Sequence, residues 1–117
     1  MLEMDVEAAQ RKICRDYGVV PFLSPAFVKA GVSVGVLAGE IPLNGLRHLP
    51  EIGTSGWFVC SGTDFSERPD YFKPWHVRHL IETNSPVLPF LGLPPGWRFL
   101  IAPGQEDVWF DPSLLEA

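Results

Sequence analysis

The chain has 117 residues, 46% hydrophobic and 20% charged, a composition that builds one domain with its own core and excludes a disordered tail. Asp and Glu number 14 against 9 Lys and Arg, and the net charge of −5 speaks against a nucleic-acid binder, which carries a basic patch or stripe. No apolar run approaches the ~18 residues that a membrane-spanning helix needs.

The opening MLEMDVEAAQ lacks a basic n-region and an apolar h-region, so no signal peptide is expected. Two lone cysteines, Cys14 and Cys60, make no disulfide framework and fit a cytoplasmic location. Residues 3–17 predict an amphipathic helix: Leu2, Val6, Ala9, Ile13 and Tyr17 recur at helical spacing, and Gly18 stops it. Ser24 followed by Pro25 predicts a short second helix that runs to Gly31. The alternation of Val32, Val34 and Val36 predicts a strand. Residues 39–55, punctuated by Pro42, Asn44-Gly45, Pro50 and Gly53, read as one long loop.

Trp57 to Cys60 predicts a second strand, and a polar loop follows through Pro69. Pro74 is read as the start of a third helix with Val77, Leu80 and Ile81 on one stripe, ending at Asn84 or Ser85. Residues 86–91 add one helical turn. The LPPG turn at 93–96 launches a third strand in which Trp97, Phe99 and Ile101 share a face. Val108 to Phe110 is a short final strand after Pro103-Gly104. The expected architecture is a single α+β domain over 1–117: about four strands, mainly antiparallel, with three helices packed mostly on one face.

Chemistry-bearing constellations are sparse. His76 and His79 stand three apart but lack a third ligand at a recognisable spacing, and His48 is remote in sequence. Cys60 lies in an apolar strand, unsuited to a thiol–imidazole pair. Ser61-Gly62 has no nucleophile-elbow context, and Glu67 with Asp70 read as solvated loop acids. No catalytic residue, metal or cofactor is expected. Of the four tryptophans, Trp57 and Trp97 read as core. Trp75 and Trp109 read as candidate interface anchors, since Trp offers large contact area at low entropic cost.

Gly56-Trp57 opening a strand that ends in Ser61-Gly62-Thr63-Asp64, followed by Pro89-Phe90-Leu91-Gly92-Leu93-Pro94-Pro95-Gly96-Trp97-Arg98-Phe99, resembles bacterial immunity protein family 33. Upstream, Val34-Gly35 and Gly39-Glu40-Ile41-Pro42 are similar to the family's first strand and its exit, so the resemblance spans about 25–111. The chain departs from the family pattern at Thr54, where an aspartate is common, and at Thr63, where the family favours an acid.

The resemblance implies a non-enzymatic cytoplasmic protein of a bacterial polymorphic-toxin system, which binds and neutralises a cognate toxin. The expected partner surface is acidic and aromatic: Asp64, Glu67, Asp70, Trp75, Glu106, Asp107, Trp109 and Asp111. The alternative is a small-molecule or peptide-binding regulatory module, with its pocket between the 39–55 loop and the aromatic block from Gly56 to Asp111.

Overall fold

The computed structural model describes residues 3–62 and 71–116. Its centre is one six-stranded mixed sheet with strand order β4-β1-β3-β2-β5-β6. The strands are β1 (Lys29–Val32), β2 (Leu43–Arg47), β3 (Thr54–Ser61), β4 (Lys73–His76), β5 (Trp97–Ala102) and β6 (Gln105–Phe110). The β1–β3 pair is parallel and every other pair antiparallel. Three α-helices join them: α1 (Glu3–Asp16), α2 (Val34–Leu37) and α3 (Val77–Glu82). Two 3-10 helices, Leu88–Gly92 and Pro112–Leu115, complete the fold.

The core lies on one side of the sheet. Ala30, Val32, Trp57, Val59 and Phe99 project from the strands toward Val6 and Cys14 of α1, Val36 of α2, Val77 and Leu80 of α3, and Leu91. Polar ties fix α1 to the chain that follows it. The Gln10 side chain brackets Ser24, accepting from its amide (3.0 Å), while Ser24 Oγ donates to the Leu91 carbonyl (2.6 Å).

The helix at the N-terminus, the strands at Trp57 and Trp97, and the buried Trp57 agree with the sequence reading. The strand count does not: there are six, in a mixed sheet, where about four were expected. Both added strands were hidden by local signals. Ser24-Pro25 starts a turn and not a helix, because Ser24 is spent on α1 and Leu91, and the extended segment Lys29–Val32 begins four residues later. The predicted 32–36 strand therefore ends at Val32, and Val34–Leu37 is helical.

The expected 39–55 loop contains β2, an interior strand between β3 and β5. Asn44-Gly45 is no turn. A Cβ at Gly45 would run into the Phe99 ring, so glycine there serves close packing inside the sheet. Pro74 lies in edge strand β4, antiparallel to β1, and α3 begins only at Val77. Proline is tolerated at such an edge because its missing N–H faces no neighbour.

Candidate functional site

Side chains alternate across a strand, so a sheet with its core on one side presents every second residue on the other. Pairing registers that open face into one row across all six strands: Pro74, Gly31, Phe58, Leu46, Arg98 and Trp109. A groove of about 710 Å³ lies on this face. Gly31, Phe58 and Pro74 form its floor, and the loop His48–Glu51, Phe72 and the C-terminal 3-10 helix rise around it.

Each wall has a local cause. A Cβ on Gly31 would stand 2.7 Å from the Phe58 ring, so the bare backbone lets that ring lie across β1. Phe58 is then held edge-on by His48 (centroids 5.6 Å) and by Phe72 (5.3 Å). The 48–51 loop is pinned where the His48 amide donates to the Gly56 carbonyl at 2.9 Å. Gly56 has φ +84°, and a Cβ there would collide with the His48 carbonyl, which explains the glycine before Trp57.

The C-terminal wall is anchored at two points. His48 Nδ1 lies 3.2 Å from the Leu114 carbonyl, which can only accept, so this bond places the proton on Nδ1. Asp111 caps the 3-10 helix, accepting from the Ser113 hydroxyl (2.6 Å) and amide (3.1 Å), and pairs with Arg98 at 3.4 Å. The Ser113 hydroxyl bond is the main reason its carboxyl titrates below the usual aspartate value, with the Ser113 amide and Arg98 assisting. Lys29, Glu51 and Glu116 are the charged residues lining the groove.

Of the expected partner residues that are described, Asp107, Trp109 and Asp111 share the open face of the sheet, and Glu106 and Trp75 lie away from them. Trp109 lies on the open face, 37% exposed, with the Arg98 guanidinium carbon 5.3 Å from its ring centroid. Asp107 shares that face and accepts from the Gln105 amide nitrogen at 2.8 Å. Glu106 points to the helix side and accepts from the Tyr17 hydroxyl at 2.6 Å, a bond that pushes the Tyr17 pKa up to about 12.

Trp75 lies on the helix side of β4, packed edge-on against His79 at 5.0 Å. β4 and β6 are opposite edges of the sheet, separated by five strand spacings, or about 24 Å. Trp75 and Trp109 thus belong to different surfaces. Asp64, Glu67 and Asp70 lie outside the described residues.

His76 sits on β4 and His79 in α3, with ring centroids 6.0 Å apart. Among the described residues no group of three His, Cys, Asp or Glu side chains is placed to hold a metal. Cys60 is fully buried in β3, and Ser61 Oγ donates to Glu40 at 3.1 Å. No described helix is long and apolar enough to cross a membrane. The groove residues Phe58, Phe72 and Leu115 were not singled out by the sequence, and His48 entered only as a histidine remote from His76 and His79. The outward direction of Phe58 is legible from the period of two in WFVC, but a concavity needs the loop and the C-terminus folded beside it.

These features define a small α+β protein with its α-helices on one side of its sheet and a grooved, aromatic face on the other. The Imm33-like domain matches residues 9–111, and the chain belongs to that family. The match reaches back into α1, further than the span of the sequence resemblance. No curated protein and no solved structure matches the chain.

Proposed function

We propose that this chain is an immunity protein that binds a cognate bacterial toxin in the cytoplasm and neutralises it by occupying its surface, with no chemistry of its own. The observation that carries this reading is the open sheet face, where an apolar groove and the half-exposed Trp109 share one side with Asp107. Family membership supports it. A large, partly apolar face with an acidic margin suits a toxin whose active site is ringed by basic residues, as in a nuclease. Trp109 supplies contact area, and Asp107 steers the encounter.

Asp107 is the cleaner charge to reverse, because Asp111 is occupied in capping the C-terminal helix. Asp107→Lys should slow association with the cognate toxin by about threefold to tenfold at low ionic strength, and the effect should shrink as salt is added. Surface plasmon resonance across a salt series reads this directly. An unchanged on-rate would move the interface off this face, and absence of any complex would refute the immunity role.

The size of the groove also favours a second reading, a small-molecule or peptide-binding module, since ligand pockets run from about 300 to 1,000 Å³. Native mass spectrometry of the purified protein separates the two: a co-purifying ligand supports the module.

A further inference from the structure

The two edges of the sheet differ in a way that the open face does not explain. β4 is four residues long and carries Lys73 and Pro74, both of which discourage another strand from adding. β6 is six residues long, pairs with β5 in continuous register from Gln105 to Phe110, and contains neither lysine nor proline. It ends the strand order, with no strand beyond it among the described residues. The Asp111 amide donates to the Gly96 carbonyl at 2.7 Å, which sets the phase of the ladder. By its alternation, the amides and carbonyls of Glu106, Val108 and Phe110 point away from β5.

We propose that β6 receives an extended segment of a protein partner by strand addition, and that this segment alternates basic with apolar residues. The proposal rests on the reading that the chain binds a protein. The backbone of Glu106, Val108 and Phe110 supplies the hydrogen bonds, which are blind to sequence. The side chains choose the occupant. From Gln105 to Asp111 there are three acids and no base. On one face Glu106 flanks Val108 and the exposed Phe110, and on the other Asp107 flanks Trp109. Lysines or arginines at alternate positions of the added strand lie on the open face beside Asp107 and Trp109, and the apolar residues between them lie on the other face beside Val108 and Phe110. A second copy of the chain fits less well, because pairing β6 with itself gathers four acids, Glu106 and Asp107 of each copy, along one seam.

The test uses the full-length chain and an eight-residue peptide of alternating Lys and Val, with a Glu–Val peptide and a Lys–Val peptide N-methylated at alternate residues as controls. With the Lys–Val peptide, amide exchange at Glu106, Val108 and Phe110 should slow by about tenfold or more. The N-methylated and Glu–Val peptides should leave it unchanged. Asp107→Lys should weaken the Lys–Val peptide several-fold, and Val108→Pro, which removes an outward donor, should abolish its binding. Should Val108→Pro fail to fold, the N-methylated peptide makes the same test on the native chain.

No binding at ~1 mM peptide, binding that perturbs Phe58 and His48 instead, or equal binding of the Glu–Val peptide overturns the proposal. So does dimerisation by sedimentation that protects the same amides without peptide. The toxin, assayed in parallel, separates the two readings. Toxin binding that survives Val108→Pro sinks the strand addition and leaves the immunity role standing. Peptide docking on β6 without toxin binding sinks the immunity role alone.

Discussion

Arg47 is 1% exposed on the core side of β2, and among the described residues no carboxylate pairs with it. Carbonyls hold it instead. Nε donates to Ser55 (2.7 Å), and Nη1 donates to Phe22, Leu91 and Leu93. The guanidinium also lies over the rings of Phe22 and Trp57, at 4.8 and 5.5 Å. Burial lowers its pKa to about 10, which leaves it charged at neutral pH.

One side chain thereby ties β2, β3, the segment after α1 and the Leu88–Gly92 helix to each other. Truncation to Ala orphans the carbonyls of Phe22, Ser55 and Leu93. At about 1 kcal/mol or more for each, the loss is at least about 3 kcal/mol. For a chain of this size that lowers Tm by roughly 12 °C or more in thermal melts. Arg47→Lys should recover only part of it, because a point ammonium cannot span the same set of acceptors. Sequence reasoning placed Arg47 in a loop, where its role had no visible sign.

At the scale of elements, the C-terminal 3-10 helix depends on Asp111 and carries Leu114 and Leu115 to the groove. The depressed folded-state pKa of Asp111 makes that support depend on pH. Its contribution is fully present above the ordinary aspartate value of 3.8 and is lost as pH falls through the lower folded value. Melts of wild type and Asp111→Asn from about pH 5 to about pH 2 should therefore converge at the acid end. Asparagine keeps the cap geometry, so the difference isolates the charge.

β2 and β4 show how tertiary pairing overrides local sequence signals. Asn44-Gly45 is the strongest short turn signal available, and Pro74 after a polar loop is a standard helix opening. Both signals were outweighed by pairing with strands distant in sequence. Leu43–Arg47 gains partners on both sides, and Lys73–His76 completes β1.

For the whole molecule, the strand order places β3 and β2 in the interior of the sheet and leaves β4 and β6 at its edges. Opening β3 or β2, the two central strands, breaks two ladders and exposes Trp57, Val59 and Phe99, so it approaches global unfolding. Native-state hydrogen exchange should find the slowest amides in β3 at Val59 and Cys60. The amides of Glu106, Val108 and Phe110 in β6 should exchange fastest among strand residues. This gradient is the baseline from which partner binding at β6 is to be read. The groove is likewise a property of the whole, since its walls come from β1, β3, β4, the 48–51 loop, Phe72 and the C-terminal 3-10 helix.

The sequence alone determined what depends on neighbours within a turn or a strand. This covers the helix at the N-terminus, the strands around Trp57 and Trp97, the core role of Trp57, and a family resemblance carried by Gly-Trp and LPPG. Those signals are local: periodicity, caps, and glycines that admit a positive φ. Tertiary structure alone decided that residues 43–47 are an interior strand, that Trp75 and Trp109 stand on opposite edges, and that Asp111 is a cap. It also decided that Phe58 and His48 line a groove. Those outcomes follow from pairing and packing between residues far apart in the chain, where the energy of a completed ladder exceeds the preference of any single turn.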